Sequence, residues 1–318
     1  MSTKNPLLLI DGLNMYIRAF CAYPTMNVNG ESVGGIIGSL KTVQRLLFEL
    51  QPSSVYVIWE SGGSIKRRSV YKEYKLNRRP VQLNRFYEDD LQENVDQNQV
   101  KQMIILLKLL RCSPICQVYV PDCEADDVIA YLCCGKFKDK EKIIASSDKD
   151  FYQLLDDKTR SYSFHKKDYV TTSNVLETFR VTSKNFALAK ALCGDPSDNI
   201  PGVKGLGFKT VARCFPVLGT EEDVLLDDVF NYCHTHLDES VVYRRVLDAE
   251  QDVRRNWKLV HLSTSSLSAN QVSKVDTAVN TCVLRADKMA MIRCLISEGI
   301  SDFDVDAYFY AFSGIRRS

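Results

Sequence analysis

Residues 7–12 read LLLIDG, four aliphatic residues that stop at Asp11-Gly12, and LNMYIRAF at 13–20 resumes with mixed spacing. A short apolar run bounded by a turn signal is the pattern of a buried strand, here feeding a helix. The pattern recurs along the chain. Ile36, Ile37, Leu40, Val43, Leu46, Leu47 and Leu50 fall at three- and four-residue steps, which predicts a helix over 35–50 ended near Pro52. Strands at 55–59, 116–120 and 143–146 alternate with helices at 98–110, 124–134 and 149–155. Such alternation implies an α/β domain with a mostly parallel, doubly wound sheet.

The 318 residues suffice for two domains, and 45% apolar with 25% charged residues excludes disordered, collagenous and membrane-spanning chains. Forty-one Lys and Arg against 40 Asp and Glu give +1, so the chain is no polycation, although charge can still separate locally. The start MSTKNPLLLIDG has too short an apolar run for a secretory leader, and the 11 Cys lack zinc-site spacing. The expectation is a cytoplasmic protein with reduced thiols. The longest apolar stretch, 103–110, is interrupted by Lys108 and is far too short for a membrane span. Strand signals thin out after 172, so a catalytic domain over 1–172 and a helical domain over 173–318 are expected. A polar insertion over about 61–97 interrupts the first domain.

Acids fall where strands end. Asp11 follows LLLI, Glu60 follows VYVIW and Asp148 follows IIASS; parallel strands share a carboxyl edge, so these side chains should gather on one rim. Glu124, Asp126 and Asp127 open a helix directly after another strand, and Asp150 follows Asp148 at the next strand-to-helix turn. Any one of them alone reads as a helix N-cap or first-turn acid. Together they would repel strongly unless cations sat among them. Mg²⁺ or Mn²⁺ suits a carboxylate bowl lacking His and Cys, and two such ions commonly serve hydrolysis at phosphorus.

In CGDPSDNIPGVKGLGFKTV, Asp195 and Asp198 precede Gly202, Lys204, Gly205 and Gly207, and a helix then begins with Lys209 near its start. Glycines let a backbone approach an anion, so this reads as a hairpin between helices, over about 190–215, that grips a phosphodiester backbone. The stretch KRRSVYKEYKLNRR at 66–79 holds Lys66, Arg67, Arg68, Lys72, Lys75, Arg78 and Arg79 against Glu73, with Tyr71 and Tyr74 interleaved. Cations meet phosphates and tyrosines can stack on unpaired bases.

With LLLIDG, YKEYKLNRR, EADD, SSDKDF and GDPSDNIPGVKGLG in this order, the chain resembles the flap endonuclease and 5′-3′ exonuclease superfamily, nearest its phage-type RNase H branch. The resemblance runs from about 7 to 215, and more weakly through RNWKLVHL at 255–262. It implies a PIN-like catalytic domain, an arch or clamp formed by the insertion, and a helix-three-turn-helix that binds duplex DNA around K⁺, followed by a C-terminal helical extension. It also implies metal ligands at Asp11, Glu124, Asp126, Asp127, Asp148, Asp150, Asp195 and Asp198, with Glu60 standing where relatives have Asp. Tyr74, Lys75 and Arg78 match arch positions that stack the terminal base and contact the scissile phosphate. The expected activity is Mg²⁺-dependent removal of 5′ flaps or primers from DNA or RNA–DNA duplexes by a monomer, alongside a polymerase or single-strand-binding protein. Two other readings stand beside it: a non-catalytic DNA-binding relative, and a PIN-type ribonuclease that needs no duplex.

Overall fold

The computed structural model describes residues 5–60, 62–77 and 95–315. Its centre is a six-stranded sheet built from β1 (Leu7–Asp11), β2 (Ser54–Trp59), β3 (Cys116–Tyr119), β4 (Lys142–Ala145), β5 (Thr159–Ser163) and β6 (Asp168–Val170). The strand order is β3-β2-β1-β4-β5-β6, with β1 to β5 parallel and β6 antiparallel to β5. Leu8, Leu9 and Ile10 are fully buried on β1, which pairs on both sides: Ile10 lies opposite Val57 of β2 and Ala145 of β4. The chain first winds outward from β1 through β2 to β3, then crosses back to β4. That reversal between β1 and β4 is a topological switch point, the place where open α/β sheets bind ligands.

Helices cover both faces. On one lie α1 (Gly12–Ala22), α2 (Gly34–Leu50) and α4 (Val95–Arg111), while the short α3 (Ile65–Val70) belongs elsewhere, as described below. The pair α1 and α2 crosses very closely: a Cβ on Gly34 would sit 1.9 Å from the Tyr23 carbonyl oxygen, and one on Gly38 2.5 Å from the Tyr23 ring. The glycines at the start of α2 thus serve packing. On the other face lie α5 (Ala125–Tyr131), extended by a π turn at Leu132–Lys136, and a 3₁₀ segment at Lys149–Leu154. The 124–134 and 149–155 helices expected from the sequence are these two, each with irregular winding.

Beyond β6 the chain is helical: α6 (Thr172–Phe179), α7 (Phe186–Cys193), a two-residue strand pair β7 (Gly194–Asp195) and β8 (Ile200–Pro201), then α8 (Phe208–Cys214), α9 (Leu226–Thr235), α10 (Val241–Asp248) and α11 (Glu250–Val260). These share a core of Leu188, Leu192, Val211, Phe215, Phe230 and Val253. The remainder departs from the expected two-part division. After Leu262 the chain returns to the sheet: α12 (Ala269–Asn280) buries Val275 against the α5 face. Then α13 (Lys288–Ser297), α14 (Val305–Tyr310) and the 3₁₀ turn Ala311–Gly314 bury Met291, Leu295, Tyr308 and Phe312 against α2 and α4. The helical unit around the hairpin is therefore flanked in sequence by two segments of one α/β body. Tyr308 and Phe312 are core residues, whereas Tyr310 is exposed beside Phe48.

No helix among the described residues is long and apolar enough to cross a membrane. All 11 cysteines are free thiols.

Candidate metal centre and nucleic-acid interface

Asp11, the last residue of β1, caps α1 by accepting from the Asn14 N–H (3.0 Å), and its other oxygen accepts from the Ser146 hydroxyl (3.1 Å). Glu124 stands at the N-cap of α5 with its N–H donating to the Asp127 carboxylate (3.3 Å); Asp148 caps the 3₁₀ segment through the Asp150 N–H (2.9 Å). The capping reading of single acids is thus correct for several of them, and it is also what holds them in place: a carboxylate bonded to its own helix start has little rotational freedom.

The acids converge on the carboxyl rim at the switch point. One group brings oxygens of Asp126, Asp148 and Asp150 within 4.8 Å of one another, and a second does the same for Asp150, Asp195 and Asp198. Asp150 belongs to both, so the hairpin acids from the helical unit complete a site begun on the sheet. A cleft of about 440 Å³ lies alongside, lined by Asn14, Asp148, Lys190, Asp195 and Phe208 among others. Asp11 and Glu60 lie outside both groups but within the same field. Burial, with the charges of Asp148 and Glu60, pushes the Asp11 carboxyl up to about 7. Burial, then the neighbouring Asp148, Glu124 and Asp11, raises Asp126 well above the ordinary carboxylate range. Asp148 is raised too, by burial and by Asp198 and Asp195, against the pull of Lys190. An all-oxygen donor set this crowded with negative charge fits a hard divalent cation.

Protein cations from distant parts of the chain already answer part of that charge. Arg67, from α3, is buried: Nη1 donates to Glu124 (2.9 Å) and Asp127 (2.9 Å), Nη2 to the other Asp127 oxygen (2.9 Å), and Nε to the Leu259 carbonyl (2.9 Å). Arg67 is thus a structural pin between sheet and helices rather than a phosphate ligand, and both Asp127 oxygens accept from it. Glu124 Oε2 accepts in addition from Lys75 Nζ (2.8 Å) and the Tyr74 hydroxyl (3.1 Å). Burial alone would raise the Glu124 carboxyl, yet Arg67 and Lys75 bring it below its ordinary value.

Tyr74 departs from the base-stacking role its position suggested. Its ring is buried in the helical core and its hydroxyl bridges Glu124 and Asp198 (3.3 Å). Lys75 stands at the rim, its ammonium 3.9 Å from Asp198, with a left-handed backbone (φ +61°) bonded to the Asp198 carbonyl (2.9 Å). Asn199 continues the seam, donating to the Glu73 carbonyl (2.8 Å) and accepting from Asn77 (2.8 Å). The first part of the expected arch is therefore stitched to the hairpin. Lys66, Arg68 and Lys72 are exposed, Lys66 reaching the Ser265 and Ser266 carbonyls (3.4 Å each) and Arg68 the Gly62 carbonyl. Arg78 lies outside the described residues.

In the hairpin, Gly202, Lys204, Gly205, Gly207 and Lys209 are all exposed on one turn. Two glycines are obligatory. A Cβ on Gly202 would stand 1.9 Å from the Cys193 carbonyl oxygen, and Gly205 has φ +82°. Asn256 of α11, fully buried, braces the turn by donating to the Ala191 (3.1 Å) and Pro201 (2.7 Å) carbonyls.

Two residues escaped the sequence reading. One is Asn256. The other is Lys190, buried on α7 and ion-paired to Asp150 and to Asp195 (2.7 Å). Its signal was present: a lone Lys inside FALAKALC, an otherwise apolar helix, must bury its stem and find an acid for its head.

Two carboxylate groups sharing one member, set at a parallel sheet's switch point and completed by a glycine-turn hairpin, have the make-up of a metal-dependent nuclease. The family model for the 5′-3′ exonuclease N-terminal resolvase-like domain matches residues 6–180, and the chain belongs to that 5′-3′ exonuclease family. It is 32% identical over 210 residues to a 5′-3′ exonuclease of Buchnera aphidicola (subsp. Schizaphis graminum), covering 65% of this chain and 68% of the relative. It is 31% identical over 256 residues to DNA polymerase I of Deinococcus radiodurans; there 80% of this chain spans only 25% of the polymerase. The fold is shared with a bacteriophage T5 flap endonuclease solved with DNA and metal ions, at a TM-score of 0.65 and 21% identity over 92% of this chain and 99% of that one.

Proposed function

We propose that the protein is a Mg²⁺-dependent 5′-3′ exonuclease and flap endonuclease, with Mn²⁺ able to substitute. It would hydrolyse phosphodiesters near the 5′ ends of DNA or RNA–DNA duplexes and remove primers or flaps in the cytoplasm of a bacterial or phage-infected cell. The observation that carries the reading is the pair of carboxylate groups joined at Asp150. Asp126, Asp148 and Asp150 would hold one ion and Asp150, Asp195 and Asp198 the other. When bound, such ions supply an activated water and stabilise charge on the leaving oxygen. Asp11, Glu60 and Glu124 would maintain the negative field around them.

The remaining work falls to the chain's other residues. The open backbone at Gly202, Gly205 and Gly207, with Lys204 and Lys209, would hold the duplex backbone, with K⁺ at the turn as the resemblance implies. Lys66, Arg68 and Lys72 would attract the 5′ strand. Lys75, part-exposed beside the acids, would stabilise negative charge at the scissile phosphate, a role the resemblance gives also to Arg78. The enzyme would act as a monomer, with a polymerase or single-strand-binding protein as neighbour.

The test is cleavage of a 5′-flapped duplex, a nicked duplex and a single-stranded RNA, each with Mg²⁺ and with EDTA. The expected outcome is cutting of the duplex substrates that ceases in EDTA; persistence in EDTA would overturn the metal assignment. Preference for the single-stranded RNA would favour the ribonuclease reading, and duplex binding without cutting the non-catalytic one.

A further inference from the structure

Lys190 occupies an unusual position for a cation in a metal site. Its side chain is buried and its ammonium is ion-paired to both Asp150 and Asp195, two of the three acids in one carboxylate group. The third, Asp198, lies 3.9 Å from the Lys75 ammonium. Each member of that group therefore has a lysine. The other group shares Asp150 with it, but its remaining members, Asp126 and Asp148, form no ion pair with a described Lys or Arg. A tethered ammonium competes with a free ion at a high effective concentration, because it cannot diffuse away when displaced.

We propose that Lys190 is a resident cation that stands in for a divalent ion among Asp150, Asp195 and Asp198, so that an ion enters there only by displacing it and the Asp126–Asp148–Asp150 position fills first. The inference rests on the metal-site reading above. It assigns Lys190 a second task as well: in the metal-free protein its ammonium links Asp150 in the 3₁₀ segment after β4 to Asp195 on the hairpin, holding the two halves of the site in register. Lys190 is thus a positioning residue that sets the order and affinity of ion binding.

The experiment counts Mn²⁺ bound to the full chain by calorimetry and by electron paramagnetic resonance, for the wild type, Lys190→Gln and Lys190→Arg, with melting followed in EDTA and in Mn²⁺. Wild type should take one ion more tightly than the next. Lys190→Gln should tighten the weaker step by about tenfold or more, the scale of one buried ion pair released, and the tighter step, which shares only Asp150 with that pair, by clearly less. It should melt lower than wild type in EDTA and recover in Mn²⁺. Lys190→Arg, which keeps the charge, should retain the weak second step. An unchanged or weakened second step in Lys190→Gln, or equal tightening in Lys190→Arg, would overturn the proposal. Absence of any Mn²⁺ binding by wild type would instead bring down the metal-site reading itself.

Discussion

Among single residues, Asp11 shows how burial and function pull against each other. Its carboxyl is pushed from an ordinary 3.8 up to about 7 by burial and by Asp148 and Glu60, so between those values the folded chain keeps a proton that the unfolded chain releases. Stability of the metal-free protein should therefore fall as pH rises through that window and level off above it, with Asp126 and Asp148 acting in the same sense. Melting temperatures in EDTA across the window check this. Asp11→Asn, which can still cap α1, should flatten its share of the slope, and excess Mg²⁺ should suppress the slope altogether. Arg67 and Tyr74 carry a different lesson. In the sequence they belong to a basic stretch with interleaved tyrosines and read as surface groups, because nothing local names a partner. Their partners, Glu124, Asp127 and Asp198, lie 50 to 124 residues away. A run of cations can be legible as a run while its individual ends are not.

The secondary elements were legible where one period dominated. β1, β2 and α2 follow directly from aliphatic runs and three-to-four spacing, and the acids at the strand ends follow from parallel topology. β5, written TRSYS, alternates small and polar residues with no aliphatic run, and β6 has only three residues, so both were missed. The hairpin was legible from its glycines, but not its support. Asn256 reaches it from α11, 55 residues beyond Pro201, and caps two carbonyls that no other described side chain satisfies. Asn256→Ala should cost about 1–3 kcal/mol, the usual penalty for leaving buried polar groups unpaired. It should weaken duplex binding by a comparable factor while leaving Mn²⁺ binding at Asp126 and Asp148 intact. Chemical denaturation and a duplex-binding titration, run on the same variant, separate the two effects.

At the scale of the molecule, the metal site depends on two bodies meeting. Asp126, Asp148 and Asp150 come from the α/β body, in α5 and the 3₁₀ segment after β4, and Asp195 and Asp198 from the hairpin, with Arg67, Lys75 and Lys190 as ionic pins across the join. After β6 the chain changes from strands to helices, and its final helices pack back onto the sheet's covering helices. No local pattern distinguishes an amphipathic helix that covers a sheet from one that covers other helices. Tyr308 makes the consequence measurable: it is fully buried against α2 and α4, and its hydroxyl pairs with Ser113 (3.1 Å). Tyr308→Ala should destabilise the α/β body by about 3–5 kcal/mol, as for other large aromatic deletions in a core. A denaturant midpoint monitored from a probe on the sheet should register the loss. The return of α13 and α14 to the sheet also bears on how the molecule is made. During translation the outer face of α2 stays uncovered until residues near 312 leave the ribosome, so the glycine turn is synthesised long before the α/β body has its full shell, and the nascent chain must keep that greasy surface from straying onto its neighbours.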